Sequence, residues 1–398
     1  MSLTTTLFAA LIVTGFTLLS CGRSETSSSP PPTSTTLTDG DLQRIGDSLA
    51  VELGTGNSAL FDSLFNPVAL YRRLAWPAES NAKDEATFLR GYDMQVASQG
   101  SLGEQLAAQW GGEGGVSFIR VRRDSTIGPL LLFRVLADDG INYVELLIDD
   151  VEGEPVISDI RMWTVGEFHS AMLRRTFAQA GSNPLRRLLD RAGTDPEQLV
   201  DAITRMNDLV VGNQSQEALD YSQELPDAIR NQKMIQVLRV QAATSIEKEG
   251  VYEDVVNEMR ALFPNDPGLD LHLIDYFFIR EEWDSALASI DRLDRYVNDP
   301  YLDQMRGNLS LMREDFDAAQ RYAEELITHD SLLSDPYILL ASIGIKTDDN
   351  ALIAEALGRM QRNNAGIIQF DVIDSEPTYD TFRRSPEYRE LKRTHASP

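Results

Sequence analysis

The feature that most constrains the fold is a short pattern that recurs at a regular interval in the second half of the chain. An aromatic residue is followed three positions later by a small or β-branched one at Tyr252–Val255, Trp283–Ala286 and Phe316–Ala319, with an earlier, weaker copy at Ser215–Ala218. Asp-Pro pairs recur in the same region, at 266–267, 299–300 and 335–336. A repeat of this kind predicts stacked units, because a single helix pair cannot bury its apolar side alone.

This pattern resembles the tetratricopeptide repeat, which has a period of about 34 residues and a unit made of a helix A, a short turn and a helix B. The resemblance implies that the aromatic residue opens helix B and packs on helix A. It also implies that the small residue lets the two helices approach closely. Gly307, nine positions before Phe316, matches the small position of helix A. The Asp-Pro pair begins the next helix A, with Asp as the cap and Pro in the first turn.

We expect about four or five such units over residues 195–365, with less regular outer units. Val255 stands where the pattern has alanine, and Ile274 stands where it has glycine. Asn350–Met360 is the predicted last helix B.

Arrays of this kind stack into a superhelix with an extended concave surface. By resemblance, exposed helix A positions line this groove and bind a protein partner. The matching positions are Leu271, Asp275, Phe278, Tyr301, Gln304, Asn308 and Leu311. For each of these residues the alternative is packing between repeats, and for Leu271 and Leu311 this alternative is favoured.

The start of the chain, residues 1–20, has the organisation of a secretory signal peptide. Leu7–Leu19 is largely apolar and uncharged, but it is too short for a bilayer span, which needs about 20 residues. The stretch leads into Leu18-Leu19-Ser20-Cys21-Gly22, which resembles the lipobox of bacterial lipoproteins. The resemblance implies cleavage before Cys21 and lipidation of this cysteine. Met1–Thr6 depart from the pattern because they contain no Lys or Arg, so a simple signal peptide or a buried cysteine is the alternative.

Residues 21–38 are predicted to be a lipidated tether. Ser24–Thr36 is rich in Ser, Thr and Pro and has no large apolar residue, so it cannot contribute to a core. Gly22 stands where an Asp would, by resemblance to lipoproteins of two-membrane bacteria, direct retention in the inner membrane. The expected location is therefore the outer membrane, with the folded part facing the periplasm.

Residues 39–180 combine helical and strand patterns. A first helix is predicted to end near Leu53-Gly54, with Thr38, Asp39 or Asp41 as its cap. Further helices are predicted from Ser58 to Leu74 with a break at Pro67, and from Lys83 to Trp110 with a break at Gly100 or Gly103. Strand-like runs separated by turn signals follow at Val116–Val121, Leu130–Leu136, Tyr143–Ile148 and Val156–Trp163, and a closing helix is predicted at Glu167–Ala180.

The predicted fold class is thus an α+β N-terminal domain, built from helices and a four-stranded antiparallel meander, followed by an all-α superhelical repeat array. The element order of the N-terminal domain is similar to that of the NTF2-like class.

Candidate catalytic residues in this domain are Asp159, Glu145, Tyr143 and His169, because paired carboxylates serve acid–base chemistry when burial separates their pKa values. The favoured interpretation is that Glu145, Asp159 and Arg161 form the solvent face of alternating strands, and that His169 is a surface helix residue. The sequence has no phosphate-binding loop, no H-E-x-x-H and no nucleophile elbow, and its single cysteine excludes a multi-cysteine metal site. No catalytic residue, cofactor or metal is therefore predicted.

The chain carries 62 acidic and 36 basic residues, and the resulting net charge of −26 argues against a nucleic-acid partner. Half of the imbalance lies within residues 266–355, which hold 20 acidic and 7 basic residues. One hypothesis is that this charge steers a basic partner into the groove. The alternative is a salt-adapted organism, which agrees with the presence of only five lysines among the basic residues.

These observations predict a membrane-anchored, periplasm-facing scaffold that binds other proteins through its repeat groove, within an envelope assembly or secretion complex. Residues 366–398 are predicted to cap the last repeat. The alternative is an enzyme or a small-ligand-binding protein with its pocket in the N-terminal domain. An interior pocket with converging polar side chains would favour this alternative, and a packed interior would favour the scaffold.

Overall fold

The structure is a computed structural model that describes residues 37–74, 82–111, 115–137, 140–179, 196–246, 250–264 and 266–395. The chain divides into two compact units, Met1–His272 and Leu273–Pro398. The predicted signal peptide, Cys21 and most of the predicted tether lie outside the described residues. Of the helices that are described, none is both long and apolar enough to cross a membrane.

Helices come first in the described part of unit 1. They are α1 Asp39–Gly54, α2 Ala59–Leu64, α3 Pro67–Leu74, α4 Ala82–Gln99 and α5 Leu102–Trp110. Thr38 caps α1 in a capping box with Asp41, and Ser101 caps α5 in the same way with Glu104. The predicted break at Pro67 is present because proline starts a helix more readily than it continues one.

A five-stranded antiparallel sheet follows, with its strands in sequence order. The strands are β1 Val116–Asp124, β2 Gly128–Ala137, β3 Gly140–Val151, β4 Glu154–Met162 and β5 Glu167–Phe168. The prediction of four strands was wrong by this last, short strand. Gly166 has a φ of 75°, which turns the chain so that Glu167 and Phe168 pair with Met162 and Arg161. Helix α6, His169–Gln179, begins directly after β5.

The central strands of the sheet present an apolar face and a mixed polar face. Leu146 and Val144 of β3 pair with Leu131 and Phe133 of β2 on the apolar face. Phe118 of β1 packs edge-to-face on Phe133, with ring centroids 5.4 Å apart. Tyr143 and Glu145 alternate with these residues along β3, so they lie on the opposite face.

The rest of the described chain is helical, as the fold class predicted. The helices are α7 Pro196–Val211, α8 Ser215–Glu224, α9 Asp227–Arg230, α10 Lys233–Thr244, α11 Val251–Leu262, α12 Gly268–Ile279, α13 Trp283–Val297, α14 Leu302–Met312, α15 Phe316–His329, α16 Asp335–Lys346, α17 Asn350–Arg362, α18 Phe370–Ser375, α19 Asp380–Arg384 and α20 Pro386–His395. Helices α13, α15 and α17 begin at or beside the positions predicted for helix B.

The core of the second unit is built from its last helices. Ala319, Tyr337, Leu340 and Ile353 belong to one buried cluster on α15, α16 and α17. Residues of the predicted capping segment join the same cluster: Ile368, Ile373, Phe382, Tyr388 and Leu391. The end of the chain therefore covers apolar surface that α16 and α17 would otherwise expose.

Candidate functional sites

Two of the predicted groove residues are buried between helices. The Tyr301 hydroxyl donates to Asp335 Oδ2 at 2.6 Å, and Gln304 Nε2 lies 3.4 Å from the Asp335 carbonyl oxygen. Both side chains are under one-tenth exposed. The prediction that Tyr301 and Gln304 line an open groove is therefore corrected: they join α14 to α16, because the start of α16 packs over this part of α14.

The remaining predicted groove residues have different environments. Asn308 is exposed and accepts a hydrogen bond from Gln304 Nε2 at 3.2 Å. Phe278 is half-buried and packs edge-to-face on Trp283, with 5.7 Å between ring centroids. Asp275 belongs to α12, but its side chain lies outside what the structure describes.

For Leu271 and Leu311, packing was favoured over a position in the groove, and both leucines are at least half-buried. Leu271 is buried, and Leu311 is half-buried against the core of the second unit.

The residues predicted to pack within the repeats are mostly buried. Ala286 and Ala319 are fully buried on α13 and α15, and Tyr252 and Val255 are buried on α11. The larger aromatic residues Trp283 and Phe316 are half-buried at the first positions of α13 and α15.

Gly307 marks a close approach of helices in the second unit. A Cβ added at this position would lie 2.5 Å from Leu339 Cδ2 and 3.4 Å from Tyr322 Cβ. Any larger residue here would push against both α15 and α16.

Several helix ends share one backbone geometry, including those at Asn213 and Asn364, and three of them follow the predicted repeat spacing. Glu281, Glu314 and Asp348 have φ values of 60°, 59° and 55°, and they are almost evenly spaced along the chain. The next backbone N–H in each turn donates to the carbonyl five residues earlier: Glu282 to Phe277 at 2.8 Å, Asp315 to Ser310 at 2.9 Å, and Asp349 to Gly344 at 2.8 Å. This is the hydrogen bond of a Schellman helix end, so the turn is repeated together with the spacing.

The acidic residues of the second unit concentrate at these turns and on the helices that follow them. Asp315 and Asp349 cap α15 and α17 by accepting from backbone N–H groups at 3.1 and 3.0 Å. Exposed positions on α14 and α16 include the uncharged residues Asn308, Met312 and Ile338. The helix A surface that is open to a partner is therefore less acidic than the composition of residues 266–355 implies.

In the sheet, Glu145 is fully buried and holds two arginines. Its carboxylate accepts from Arg161 Nε at 2.7 Å and lies 3.2 Å from Arg122 Nε. The interpretation of Glu145 as part of a solvent face was wrong, because the mixed polar face of the sheet is covered as well. Its two arginine partners fix Glu145 in an ion-pair network, which is a structural role.

Asp159 is also buried, so the solvent-face interpretation was wrong for this residue too. Its carboxylate accepts from the backbone N–H of Ser170 at 3.0 Å and from the Ser170 hydroxyl at 2.5 Å. Burial raises the pKa of Asp159, and the Ser170 hydrogen bonds oppose this shift. The carboxylate ties β4 to the first turn of α6, which is a common role for an acid at a helix start.

The four candidate catalytic residues do not form one constellation. Glu145 and Asp159 are each bound to partners of their own, and Tyr143 packs on Trp163 with 5.6 Å between ring centroids. His169 is half-buried in an apolar setting with Leu106, Ile160 and Met172, which corrects its interpretation as a surface residue. Desolvation lowers the pKa of His169 to about 4.

A cavity of about 300 Å³ lies in the first unit, between the end of β4, Lys233 at the start of α10, and residues Phe263, Pro264, Asp266 and Pro267 between α11 and α12. Its walls include Arg161, Trp163, Lys233, Phe263, Asp266 and Pro267. Lys233 Nζ lies 2.6 Å from Asp266 Oδ2 and donates to the Gly166 carbonyl at 2.8 Å.

The sequence pattern did not single out Lys233 or Phe263, because the cavity joins segments that are far apart in the chain. Near this cavity, the His272 ring nitrogen Nε2 lies 3.1 Å from the Thr164 carbonyl oxygen. Burial lowers the pKa of His272, so the ring is neutral near pH 7.

Comparison of the chain with protein-family models and with curated proteins finds no match. Within the described ranges, no group of three or more His, Cys, Asp or Glu side chains is arranged to hold a metal ion.

Proposed function

We propose that this protein is a lipid-anchored scaffold of the bacterial cell envelope that binds other proteins through its all-helical region. In this proposal, the helices of residues 195–365 are helix-pair repeats similar to tetratricopeptide repeats. The anchor at Cys21 holds the array at the outer membrane on its periplasmic side, as part of an envelope assembly or secretion complex. No cofactor and no nucleic acid take part.

The repeated turn is the observation that carries the repeat proposal. Glu281, Glu314 and Asp348 are not glycines, yet all three adopt a left-handed conformation that is unfavourable for such residues by about 1 kcal/mol. The return of the same unfavourable geometry at nearly equal intervals supports one structural unit used several times. The buried Ala286 and Ala319, at matching positions of α13 and α15, support the same conclusion.

The environment of the sheet favours a scaffold over an enzyme in the N-terminal domain. Its apolar face is packed, and its buried acids Glu145 and Asp159 are bound to Arg161 and Ser170. Neither carboxylate is held ready for an acid–base step on a substrate.

Site-specific photo-crosslinking tests the partner surface. A photoreactive residue replaces Asn308 or Ile338, which are exposed on α14 and α16, and Glu325 on α15 serves as the control. We expect discrete protein adducts from the first two positions in intact cells and none from Glu325. The absence of adducts at Asn308 and Ile338, or the same adducts from Glu325, would contradict the proposed surface.

The salt dependence of the adducts separates this surface from the charge-steering hypothesis. Because Asn308, Met312 and Ile338 are uncharged, we expect the yield of adducts to vary little with ionic strength. A steep loss of adducts in high salt would restore the steering of a basic partner by the acidic residues.

Labelling with palmitate tests the anchor. We expect incorporation into the wild-type protein, and we expect it to be lost in Cys21→Ala. Processing of the wild type should also be sensitive to globomycin, which inhibits the lipoprotein signal peptidase. An unlabelled wild-type protein would overturn the proposed lipidation, whatever the crosslinking shows.

A further inference from the structure

The cavity beside β4 has a clear imbalance of hydrogen-bonding groups. Arg161 uses Nε and Nη2 to bind Glu145, and among the described residues its Nη1 has no hydrogen-bond partner. Lys233 has three ammonium protons, and its oxygen partners are Gly166 and Asp266. The Trp163 indole N–H is buried and, within the described part of the chain, also has no partner. Apart from Asp266 Oδ2, which lies beside the Lys233 ammonium, the side-chain groups that lack a hydrogen-bond partner here are, among the described residues, donors.

The acceptors at the cavity are already engaged. The Gly166 carbonyl accepts from Lys233. Asp266 Oδ1 accepts from the backbone N–H of Gly268 at 3.1 Å, and Asp266 Oδ2 lies beside the Lys233 ammonium. A ligand that satisfies the free donors must supply acceptor oxygens. Arg161 and Arg122 share the single charge of Glu145, and Lys233 pairs with Asp266, so three cations face two anions here and favour an anionic ligand.

The other walls are apolar. Trp163, Phe263 and Pro267 line the cavity, and Lys233 Nζ lies 5.7 Å from the centroid of the Phe263 ring. A volume of about 300 Å³ is at the lower end of the range for small-molecule sites. The cavity thus suits a small ligand that has an anionic end and an apolar body.

We propose that this cavity binds an organic carboxylate, with the carboxylate between Arg161 and Lys233 and an aromatic or aliphatic body against Trp163 and Phe263. The carboxylate belongs either to a free small acid or to the C-terminal residue of a peptide. A free acid and a peptide C-terminus present the same carboxylate to the site. The residues that form this site are not those of the proposed partner surface on α14 and α16.

Calorimetric titration of the full chain with matched acids and amides tests this proposal. The probes are 3-phenylpropionate and N-acetyl-phenylalanine, and each is compared with its primary amide. We expect both acids to bind at least about tenfold more tightly than their amides, because the amides cannot form charge-assisted bonds with both cations. Tighter binding of N-acetyl-phenylalanine than of 3-phenylpropionate identifies a peptide C-terminus as the source, and the reverse order identifies a free acid.

Variants then locate the binding. Lys233→Met is expected to weaken binding of the acid by about tenfold and to leave the affinity for the amide unchanged. Lys392→Met removes an exposed lysine of the second unit and is the matched control. Phe263→Leu keeps the charges and shortens the apolar wall, so it is expected to weaken acid and amide equally.

The Phe263→Leu variant keeps the test decisive if Lys233→Met fails to fold. Absence of acid binding to the wild type at about 1 mM ligand would overturn the proposal. Equal affinity for acid and amide, or equal effects of Lys233→Met and Lys392→Met, would do the same.

Discussion

Replacement of Gly268 by alanine tests how closely the sheet and the helical segment approach in the first unit. Gly268 is the first residue of α12, and it lies against the backbone of Trp163. A Cβ at this position would be 3.0 Å from the Trp163 carbonyl carbon and closer still to its oxygen. Both neighbours are backbone atoms, so no side-chain rotation can relieve the overlap.

The size of the effect follows from these distances. The contact with the Trp163 oxygen is the shorter of the two and lies far inside an ordinary van der Waals distance, so α12 and the end of β4 must separate by more than about 1 Å. Overpacking of this kind destabilises a folded protein by about 1–3 kcal/mol. The lower backbone entropy of alanine in the unfolded chain offsets about 0.5–1 kcal/mol. The expected net loss is therefore about 1–2 kcal/mol.

Differential scanning calorimetry of the purified protein measures this loss. For a unit of this size, each kcal/mol lowers Tm by about 2–4 °C, so we expect a decrease of roughly 2–8 °C. Gly40→Ala is the matched control, because Gly40 also lies in the first turn of a helix. There, a Cβ would meet only Thr38 Oγ1, at 3.8 Å. We expect this control to be neutral or slightly stabilising.

A Tm of Gly268→Ala at or above that of Gly40→Ala would contradict this expectation. That result would mean that the contact between Gly268 and Trp163 is not made in solution. It would also contradict the position of Asp266 and Pro267 in the cavity wall, since these two residues directly precede Gly268.

Three further predictions concern the sheet, its closing helix and the second unit. Glu145→Gln should lower the free energy of unfolding by about 2–3 kcal/mol, because two arginines lose a buried anion. The control, Glu154→Gln at an exposed position, should change it by less than about 0.5 kcal/mol. Equal chemical denaturation curves for the two variants would refute the network. The pKa of His169 is lowered to about 4, below the value of about 6.5 in the unfolded chain, so this residue contributes stability above pH 6.5 that is lost as the pH falls towards 4. His169→Asn should therefore reduce the fall in unfolding free energy between pH 7 and about pH 4.5 by about 1–3 kcal/mol, and an unchanged pH dependence would contradict the burial of the ring. Ala319→Leu should destabilise the second unit by about 1–3 kcal/mol, since Ala319 is fully buried. The control is Gln320→Leu at the exposed neighbouring position, which should be tolerated. Similar melting curves for the two variants would argue against close packing at Ala319.

The short-range features of the fold were predictable from the sequence. The cap at Thr38, the break at Pro67 and the starts of α13 and α15 depend on a few neighbouring residues. Such signals act through local hydrogen bonds and backbone conformation, so they can be recognised without knowledge of the rest of the chain.

The environment of Glu145 in the sheet was not predictable from local sequence signals. Alternation along β3 predicted that Glu145 faces solvent, as it does when only one face of an antiparallel sheet is covered. In the structure both faces of the central strands are buried. Glu145 is accommodated because Arg122 of β1 and Arg161 of β4 both pair with its carboxylate. A pattern of period two shows which residues share a face, but it does not show what covers that face.

The candidate sites divide in the same way. The repeat pattern marked Tyr301, Gln304 and Asn308 as groove-lining positions of one helix A. Only the packing of α16 on α14 decided that the first two are buried and the third is exposed. The cavity had no sequence signal, since its lysine, its arginine and its aromatic walls come from separate segments.

The sequence by itself determined the break at Pro67, the starts of α13 and α15 and the repeat spacing, because these depend on interactions between residues close in the chain. The tertiary structure decided which polar groups are buried, which are paired and where an unfilled space remains. Those properties depend on contacts between distant segments, where burial decides whether a charge is solvated, paired with an opposite charge or left open to a ligand.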